Sequence, residues 1–412
     1  MVPLIRGMQR DTAHAALAVA LMLAMVAPVA PCTTVMLKAK DGCTVIGRTM
    51  ELGIPEVKSE LEAIYLHPRG TPVGTAHGTY NASKYGYLGV QISIHSFSPM
   101  LATTEGINEA GLTVSAQTHV QASYESNAST PKATTLFAVQ ATAFLLACCK
   151  TVDEAAKALS DVRVIETPLV GALGALHWSV QDASGASRAF EYVDQQLRVY
   201  DNTDVGVFTN DPGYEWHMGN LNFFADYPSA SHPRHFEATA STSGPFSSAS
   251  VPVHGDGTRV TTTTVPATTT HGLNARGLPS SYSPPDRFVK MFLLKQVAQL
   301  HDPPATLADG VVAITGLLNT VHIVRGTVSG GGPTPYEYTN WAVLKVPWTS
   351  GNSTSGAAAQ AGPLFYFRTY DNMQWKRIEL AAIDFSPGSK HAPIQLYEPG
   401  LGVKDVTPRP RA

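Results

Sequence analysis

Residues 27–53 read APVAPCTTVMLKAKDGCTVIGRTMELG. Thr33–Ala39 and Cys43–Met50 alternate in character, and Lys40-Asp41-Gly42 lies between them. Two alternating runs around a short Asp-Gly turn predict a β-hairpin. Such a hairpin folds Arg48 and Glu51 back beside Cys32. The fold question thus begins at a thiol that opens a strand, with a charged pair returning toward it.

The residues ahead of Cys32 read as a removable export signal. Met1 to His14 carries Arg6 and Arg10, and Ala15 to Val29 is almost wholly apolar. That run is short for a membrane span and is followed by Pro28 and Pro31, which favours a secretory signal over an uncleaved anchor. Ala30 suits the position before a cut, and trimming of Pro31 then exposes Cys32. A lipid-modified cysteine is the rival reading, and a proline directly before the cysteine fits it poorly. The expectation is a leader over residues 1–31, then one domain over 32–412, periplasmic or secreted, with no stable membrane anchor.

Composition narrows the class. The 412 residues are 44% apolar and 8% aromatic, with a formal net charge of −3. This suits a globular protein with one large core or two domains and gives no sign of a nucleic-acid partner. Four cysteines, Cys32, Cys43, Cys148 and Cys149, include one adjacent pair, which is no disulfide framework. Cys148 and Cys149 end the apolar run TLFAVQATAFLLACCK (Thr135–Lys150) and read as core residues.

The order of elements predicts an α+β fold rich in strand. Thr135–Leu159 has helical periodicity. Leu176–Gln181 and Ser187–Val193 flank Asp182-Ala183-Ser184-Gly185 as a second hairpin. A short strand over Val205–Thr209 precedes a turn at Asp211-Pro212-Gly213 and a helix over Tyr214–Phe224. Asp286–Leu300 is amphipathic, and Tyr338–Val346, Leu364–Tyr370 and Gln374–Ile383 read as late strands. Residues 231–270 are rich in Ser, Thr and Pro and read as an insertion.

Few residue patterns offer chemistry. His232 and His235, the close histidine pair, read as surface loop residues rather than metal ligands, and no metal or cofactor is expected. No Gly-x-Ser-x-Gly elbow is present. Cys32 remains. As a first residue it would carry its own base, because an α-amine with a pKa near 8 can accept the thiol proton. Arg48 could lower the thiol pKa, and Glu51 could hold the amine. Otherwise Cys32 is a buried structural cysteine, and Arg48–Glu51 an ion pair at a strand end. A Cys32–Cys43 bridge across the hairpin, which would silence the thiol, also stays open.

Cys32-Thr33-Thr34 with Ile46-Gly47-Arg48-Thr49-Met50-Glu51 resembles the start of the choloylglycine hydrolase family, N-terminal nucleophile hydrolases that include bile salt hydrolases and penicillin V acylases. EGINEAGL (Glu105–Leu112), LHWSVQDASG (Leu176–Gly185), VFTNDPGYEWHMGNLN (Val207–Asn222), GLPSSYSPPDRF (Gly277–Phe288) and VHIVRGT (Val321–Thr327) are similar to family segments in the same order. The resemblance implies a four-layer αββα sandwich with two antiparallel sheets. It implies catalytic roles for Cys32, Arg48, Glu51, Asn210 and Arg287: the nucleophile, the arginine beside it, a carboxylate near the amine, an oxyanion donor and a second arginine. It implies Met50, Gln117 and Thr118 as substrate contacts, a small-molecule amide with an apolar acyl group as substrate, and allows for a homotetramer.

Two positions depart from the family pattern. Glu51 stands where aspartate is more common, and Gln117 or Thr118 stands where bile salt hydrolases carry asparagine and some penicillin V acylases tyrosine. With the export signal, this favours a penicillin V or N-acyl homoserine lactone acylase, with a conjugated bile salt hydrolase as the alternative. From another class, a non-catalytic binding module of the same fold stays open.

Overall fold

The computed structural model describes residues 31–51, 62–93, 101–125, 134–167, 174–224, 277–329, 336–348 and 362–397. The leader ahead of Pro31, the insertion at 231–270 and the His232–His235 pair lie outside them.

The opening hairpin forms as its sequence predicts. Strand β1 (Cys32–Lys38) pairs antiparallel with β2 (Thr44–Glu51), with Cys32 opposite Met50 and Lys38 opposite Thr44. In the turn, Gly42 adopts φ +89°, the left-handed region that glycine enters without a Cβ clash. Asp41 Oδ1 accepts from the Cys43 N–H at 2.9 Å. This register settles one open alternative. Cys43 lies at the turn end and Cys32 at the other, about 20 Å away at 3.3 Å per residue, and neither is in a disulfide. No Cys32–Cys43 bridge is possible in this fold.

Twelve further strands complete two sheets. In chain order they are β3 (Glu62–His67), β4 (Tyr87–Ser93), β5 (Leu101–Asn108), β6 (Thr113–Thr118), β7 (Leu176–Gln181), β8 (Ser187–Val193), β9 (Gln196–Asp201), β10 (Val207–Phe208), β11 (Thr339–Val346), β12 (Leu364–Thr369), β13 (Lys376–Glu379) and β14 (Ile394–Gln395). The first sheet runs β10-β1-β2-β11-β12-β13, and the second β9-β8-β7-β6-β5-β4-β3-β14. Every pairing in the two sheets is antiparallel.

Helices cover the outer faces. Helices α1 (Ala141–Cys148) and α2 (Val152–Asp161) pack Leu145, Leu146, Ala155 and Leu159 with Val114, Trp178 and Val180 of the second sheet. Helix α3 (Tyr214–Leu221) follows β10, while α4 (Pro284–His301) and α5 (Leu307–Asn319) pack Phe288, Ile314 and Leu318 with Val35, Val45 and Leu344 of the first sheet. Between the sheets lie Cys32, Met50, Ile64, Val90, Trp341 and Val343. The result is the four-layer αββα sandwich, each sheet alternating inner and outer side chains with the period-two pleat.

One predicted helix is corrected. Thr135–Leu159 is not continuous: Thr135–Phe137 is a short strand paired in parallel with Arg163–Ile165, a 3₁₀ turn follows, and α1 stops at Cys148 before α2 begins. Thr151 caps α2, its hydroxyl accepting from the Glu154 N–H at 3.1 Å. A Thr before an Asp-Glu first turn is a helix start signal, so the break is written in the sequence. Similarly, the helix after Gly213 ends at Leu221 and continues as a 3₁₀ turn through Phe224.

Candidate active site

The pleat decides which residues meet at Cys32. On β1, Cys32 and Thr34 face the second sheet while Thr33 faces the helices. On β2, Arg48 and Met50 share the inner face with Cys32. Gly47 faces α5 so closely that a Cβ there would meet Ile314 at 2.4 Å. Glycine therefore lets α5 seat on β2 directly behind Arg48.

Arg48 is 1% exposed and lies beneath the thiol. Its Nη2 donates toward Cys32 Sγ at 3.6 Å and to the Ala116 carbonyl at 2.6 Å, and the guanidinium lies 5.1 Å from the Trp341 ring centroid. Met50 Sδ is 3.5 Å from the thiol sulfur. A buried cation needs a counter-charge, and Glu105 on β5 supplies it: Oε2 lies 3.4 Å from Arg48 Nη1, and Oε1 accepts from Lys345 Nζ at 2.5 Å. Lys345 also donates to Ser115 Oγ at 2.6 Å. Two cations thus share one carboxylate under the sulfur, leaving a positive excess there. Burial pushes the Cys32 thiol pKa up, and the Arg48 charge is the largest influence opposing it.

Arg287, from the first turn of α4, approaches from the helix side. Nη1 donates to the Cys32 carbonyl at 2.5 Å and to Thr33 Oγ1 at 2.6 Å; Nη2 donates to Asn210 Oδ1 at 2.9 Å; Nε donates to the Tyr282 carbonyl at 2.9 Å. The sequence position, a cation near a helix N-terminus, is unfavourable. Four oxygen acceptors explain why it is tolerated there.

Asn210 lies in the turn after β10, fully buried. Its Oδ1 accepts from the Cys32 backbone N–H at 2.6 Å, and its Nδ2 donates to the Thr118 carbonyl at 2.9 Å. The Cys32 nitrogen, a peptide amide in this chain, would be the α-amine of a chain beginning at Cys32.

Glu51 meets the site from the other face of β2 than Arg48. Three residues beyond Arg48 on a strand, it points to the opposite face of β2, toward the helices. Its Oε1 accepts from Thr339 Oγ1 at 2.8 Å. Burial raises its pKa to about 7, against the pull of Arg287 and Arg48. The Glu51 side chain is thus on the opposite face of β2 from Arg48, yet its charge works to raise the Cys32 thiol pKa while its backbone N–H works to lower it, and Arg287 adjoins both groups. Of the proposed substrate contacts, Met50 touches the thiol and Thr118 meets Asn210. Gln117 is turned between the sheets, donating to Thr34 Oγ1 at 3.3 Å and the Phe208 carbonyl at 3.4 Å.

The sequence reading missed Glu105, Lys345 and Trp341, and with them three histidines around Asn210. Glu105 opens a segment singled out for its similarity alone, and a lysine between Leu344 and Val346 in an apolar strand was the available signal. Among the described residues, one group could hold a metal ion: His119, His177 and Glu191, with ligand atoms within 4.8 Å of one another. Both ring nitrogens of His177 are already engaged, with Glu191 Oε1 and the Thr209 carbonyl, each at 2.8 Å.

The assembly is a thiol over a cation, with an amide side chain beside its backbone nitrogen. Residues 32–261 match the family described as linear amide C–N hydrolases, choloylglycine hydrolase family, a match that begins at Cys32. The chain belongs to the choloylglycine hydrolase family. It is similar to a bile salt hydrolase/transferase of Clostridium perfringens, 25% identical over 352 residues, covering 85% of this chain and 92% of the relative. It is also similar to the penicillin V acylase of Pectobacterium atrosepticum, 28% identical over 170 residues, covering 40% of this chain and 45% of that one. Among solved structures, a conjugated bile acid hydrolase from Clostridium perfringens superposes with a TM-score of 0.67 at 21% identity over 91% of this chain and 100% of that one. The penicillin V acylase from Agrobacterium tumefaciens gives 0.58 at 17%, over 87% and 89%. These superpositions establish the fold. As a choloylglycine hydrolase family member, the protein is a hydrolase of linear amide carbon–nitrogen bonds.

Proposed function

We propose that Cys32, freed as the first residue, attacks the amide carbonyl and forms a thioester. The observation that carries this is the convergence on one residue: Arg48 at the sulfur, Asn210 at the nitrogen and Arg287 at the carbonyl. The neutral α-amine takes the thiol proton and returns it to the leaving amine; water then releases the acid. Asn210 Nδ2 turns from the Thr118 carbonyl to the developing oxyanion, a donor worth about 3 kcal/mol or more. Arg287 fixes the backbone that carries the nucleophile. Removal of the leader on export, to a periplasmic or secreted enzyme, is part of the same proposal, since the amine exists only after cleavage.

The substrate proposed is an amide joining an apolar acyl group to a small polar amine, with penicillin V or an N-acyl homoserine lactone preferred. The departure at Gln117 or Thr118, one of which stands where the family resemblance expects asparagine in bile salt enzymes, supports this. Conjugated bile salts are the second reading, favoured by the extent of similarity to a bile salt hydrolase/transferase, 85% of this chain. Comparing kcat/KM for penicillin V, a long-chain acyl homoserine lactone and glycocholate on one preparation decides between them. Glycocholate turned over tenfold better than both rivals, about 1.4 kcal/mol, overturns the preference and leaves the thioester route standing.

A further inference from the structure

Three buried histidines surround the turn that carries Asn210, and the mechanism above uses none of them. Their shortest contacts fall on three successive residues of that turn, and His217 Nε2 also meets Thr209 Oγ1 at 3.3 Å. His177 Nε2 meets the Thr209 carbonyl at 2.8 Å. His217 Nε2 meets the Asn210 carbonyl at 2.9 Å. His119 Nδ1 lies 3.0 Å from Asp211 Oδ1, and the Asp211 carboxylate also accepts from the Val120 and Gln121 N–H groups at 3.1 Å each.

The rings brace one another. His119 and His177 stack with centroids 4.5 Å apart, and His217 stacks on Phe288, the neighbour of Arg287, also at 4.5 Å. A carbonyl can only accept, so His177 Nε2 and His217 Nε2 both carry hydrogen. Burial lowers the His217 pKa to about 4, so this ring is a neutral donor at pH 7.

His177 has a further partner. Its Nδ1 lies 2.8 Å from Glu191 Oε1, with both side chains 1% exposed. Glu191 also caps α3, accepting from the Tyr214 N–H at 2.9 and 3.0 Å through its two oxygens. Burial works to raise the Glu191 carboxyl pKa, but His177, His119 and the Tyr214 N–H together hold it below its ordinary value. Glu191 thus ties the start of α3 to His177, and His177 ties both to the carbonyl directly before Asn210.

We propose that the His177–Glu191 pair is a positioning device for Asn210: it fixes the Thr209 carbonyl, and so aims the Asn210 amide at Cys32. A ring free at either nitrogen could swing. With Glu191 on one side and the carbonyl on the other, one orientation remains, which is how outer partners commonly set the aim of a reacting group. His177 touches no reacting atom and acts through Asn210. The inference rests on the hydrolase reading of the site and refines it.

The test uses two substitutions that differ by one methylene. His177→Gln keeps an N–H donor at the position of Nε2, within reach of the Thr209 carbonyl. His177→Asn places its amide at the position of Nδ1, toward Glu191, and loses the carbonyl. With folding verified by thermal melting, His177→Asn is expected to lower kcat about hundredfold, the scale of a lost oxyanion donor, with KM unchanged. His177→Gln is expected to restore most of that loss. Iodoacetamide should alkylate Cys32 at the same rate in both, because the groups around the sulfur are untouched.

The same substitutions in an Asn210→Ala background complete the test. If His177 acts through Asn210, His177→Asn costs nothing further there. Equal losses in both backgrounds overturn the proposal, as does an unchanged kcat in His177→Asn. Should neither variant fold, Glu191→Gln takes their place: its amide N–H can still pair with His177 Nδ1, so kcat is kept if positioning is the role, and loss of kcat overturns it. A fully active Asn210→Ala enzyme would refute the reading of the site itself, a result distinct from failure of the His177 proposal.

Discussion

Arg287 reaches Cys32 across 255 positions of chain, its Nη1 donating to the Cys32 carbonyl at 2.5 Å. Through the other arm of the same guanidinium it holds Asn210 Oδ1, the oxygen that faces the Cys32 nitrogen. One planar fork therefore links the proposed nucleophile and the proposed oxyanion donor. An ammonium has no such fork. Arg287→Lys is expected to fold and to lose about two orders of magnitude in kcat/KM, as misplacement by about 1 Å does elsewhere. Steady-state kinetics on either substrate class checks this; retention of more than half the activity would show the fork to be dispensable.

Processing carries the next prediction. The nitrogen facing Asn210 is an amide until residue 31 is removed, and an amide nitrogen is no base. The active protein should have an intact mass corresponding to a chain that begins at Cys32. Preparations that begin at Pro31 or earlier should be inactive toward every substrate.

Arg48 is expected to tune the reactivity of the sulfur. Burial pushes the thiol up and Arg48 opposes it most strongly, so removing the guanidinium raises the thiol pKa further. Arg48→Ala should shift the pH profile of iodoacetamide alkylation at Cys32 alkaline by about one unit or more, the size of an adjacent-charge effect. It should also lower the rate at pH 7. The substitution leaves Glu105 to Lys345 alone, with Arg287 the remaining cation that lowers the thiol pKa.

Glu51 predicts a stability effect in the unprocessed chain, where no α-ammonium is present to draw its pKa down. Its folded pKa is about 7 and its reference value 4.5. Between those values the unfolded chain releases the proton and the folded chain keeps it. Stability therefore falls as pH rises through that window and stays lowered above it. The ceiling is about 3 kcal/mol at roughly 1.4 per unit. Glu51→Gln, measured by thermal melts, should be stabilising at pH 8 and neutral at pH 4.5. An equal effect at both would remove the carboxylate charge as the cause.

Much of this was legible where period and turn chemistry speak together. Lys40-Asp41-Gly42 between alternating runs gave the first hairpin, and Asp182–Gly185 the second, both with the predicted strands. The same period carried information that spacing alone concealed: Arg48 and Glu51 are three apart, an odd separation, so a strand must turn them to opposite faces. Thr135–Leu159 misled because a short apolar run reads alike as strand or helix; only the Thr151 cap betrays the break. Asn210 and Arg287 came from resemblance. The cradle of His119, His177 and His217 was not legible, since the three stand on separate elements and only the packed sheets bring them to one turn.

The central claim is that the acyl group passes through Cys32. The direct measurement is acid quenching of the processed enzyme during turnover, followed by mass spectrometry of its peptides. An adduct with the mass of the acyl group, labile to hydroxylamine, is predicted on the peptide that begins Cys32-Thr33-Thr34, and Cys32→Ala should show neither adduct nor turnover. An acyl adduct on Cys148 or any other residue, or sustained turnover by Cys32→Ala, would contradict the account.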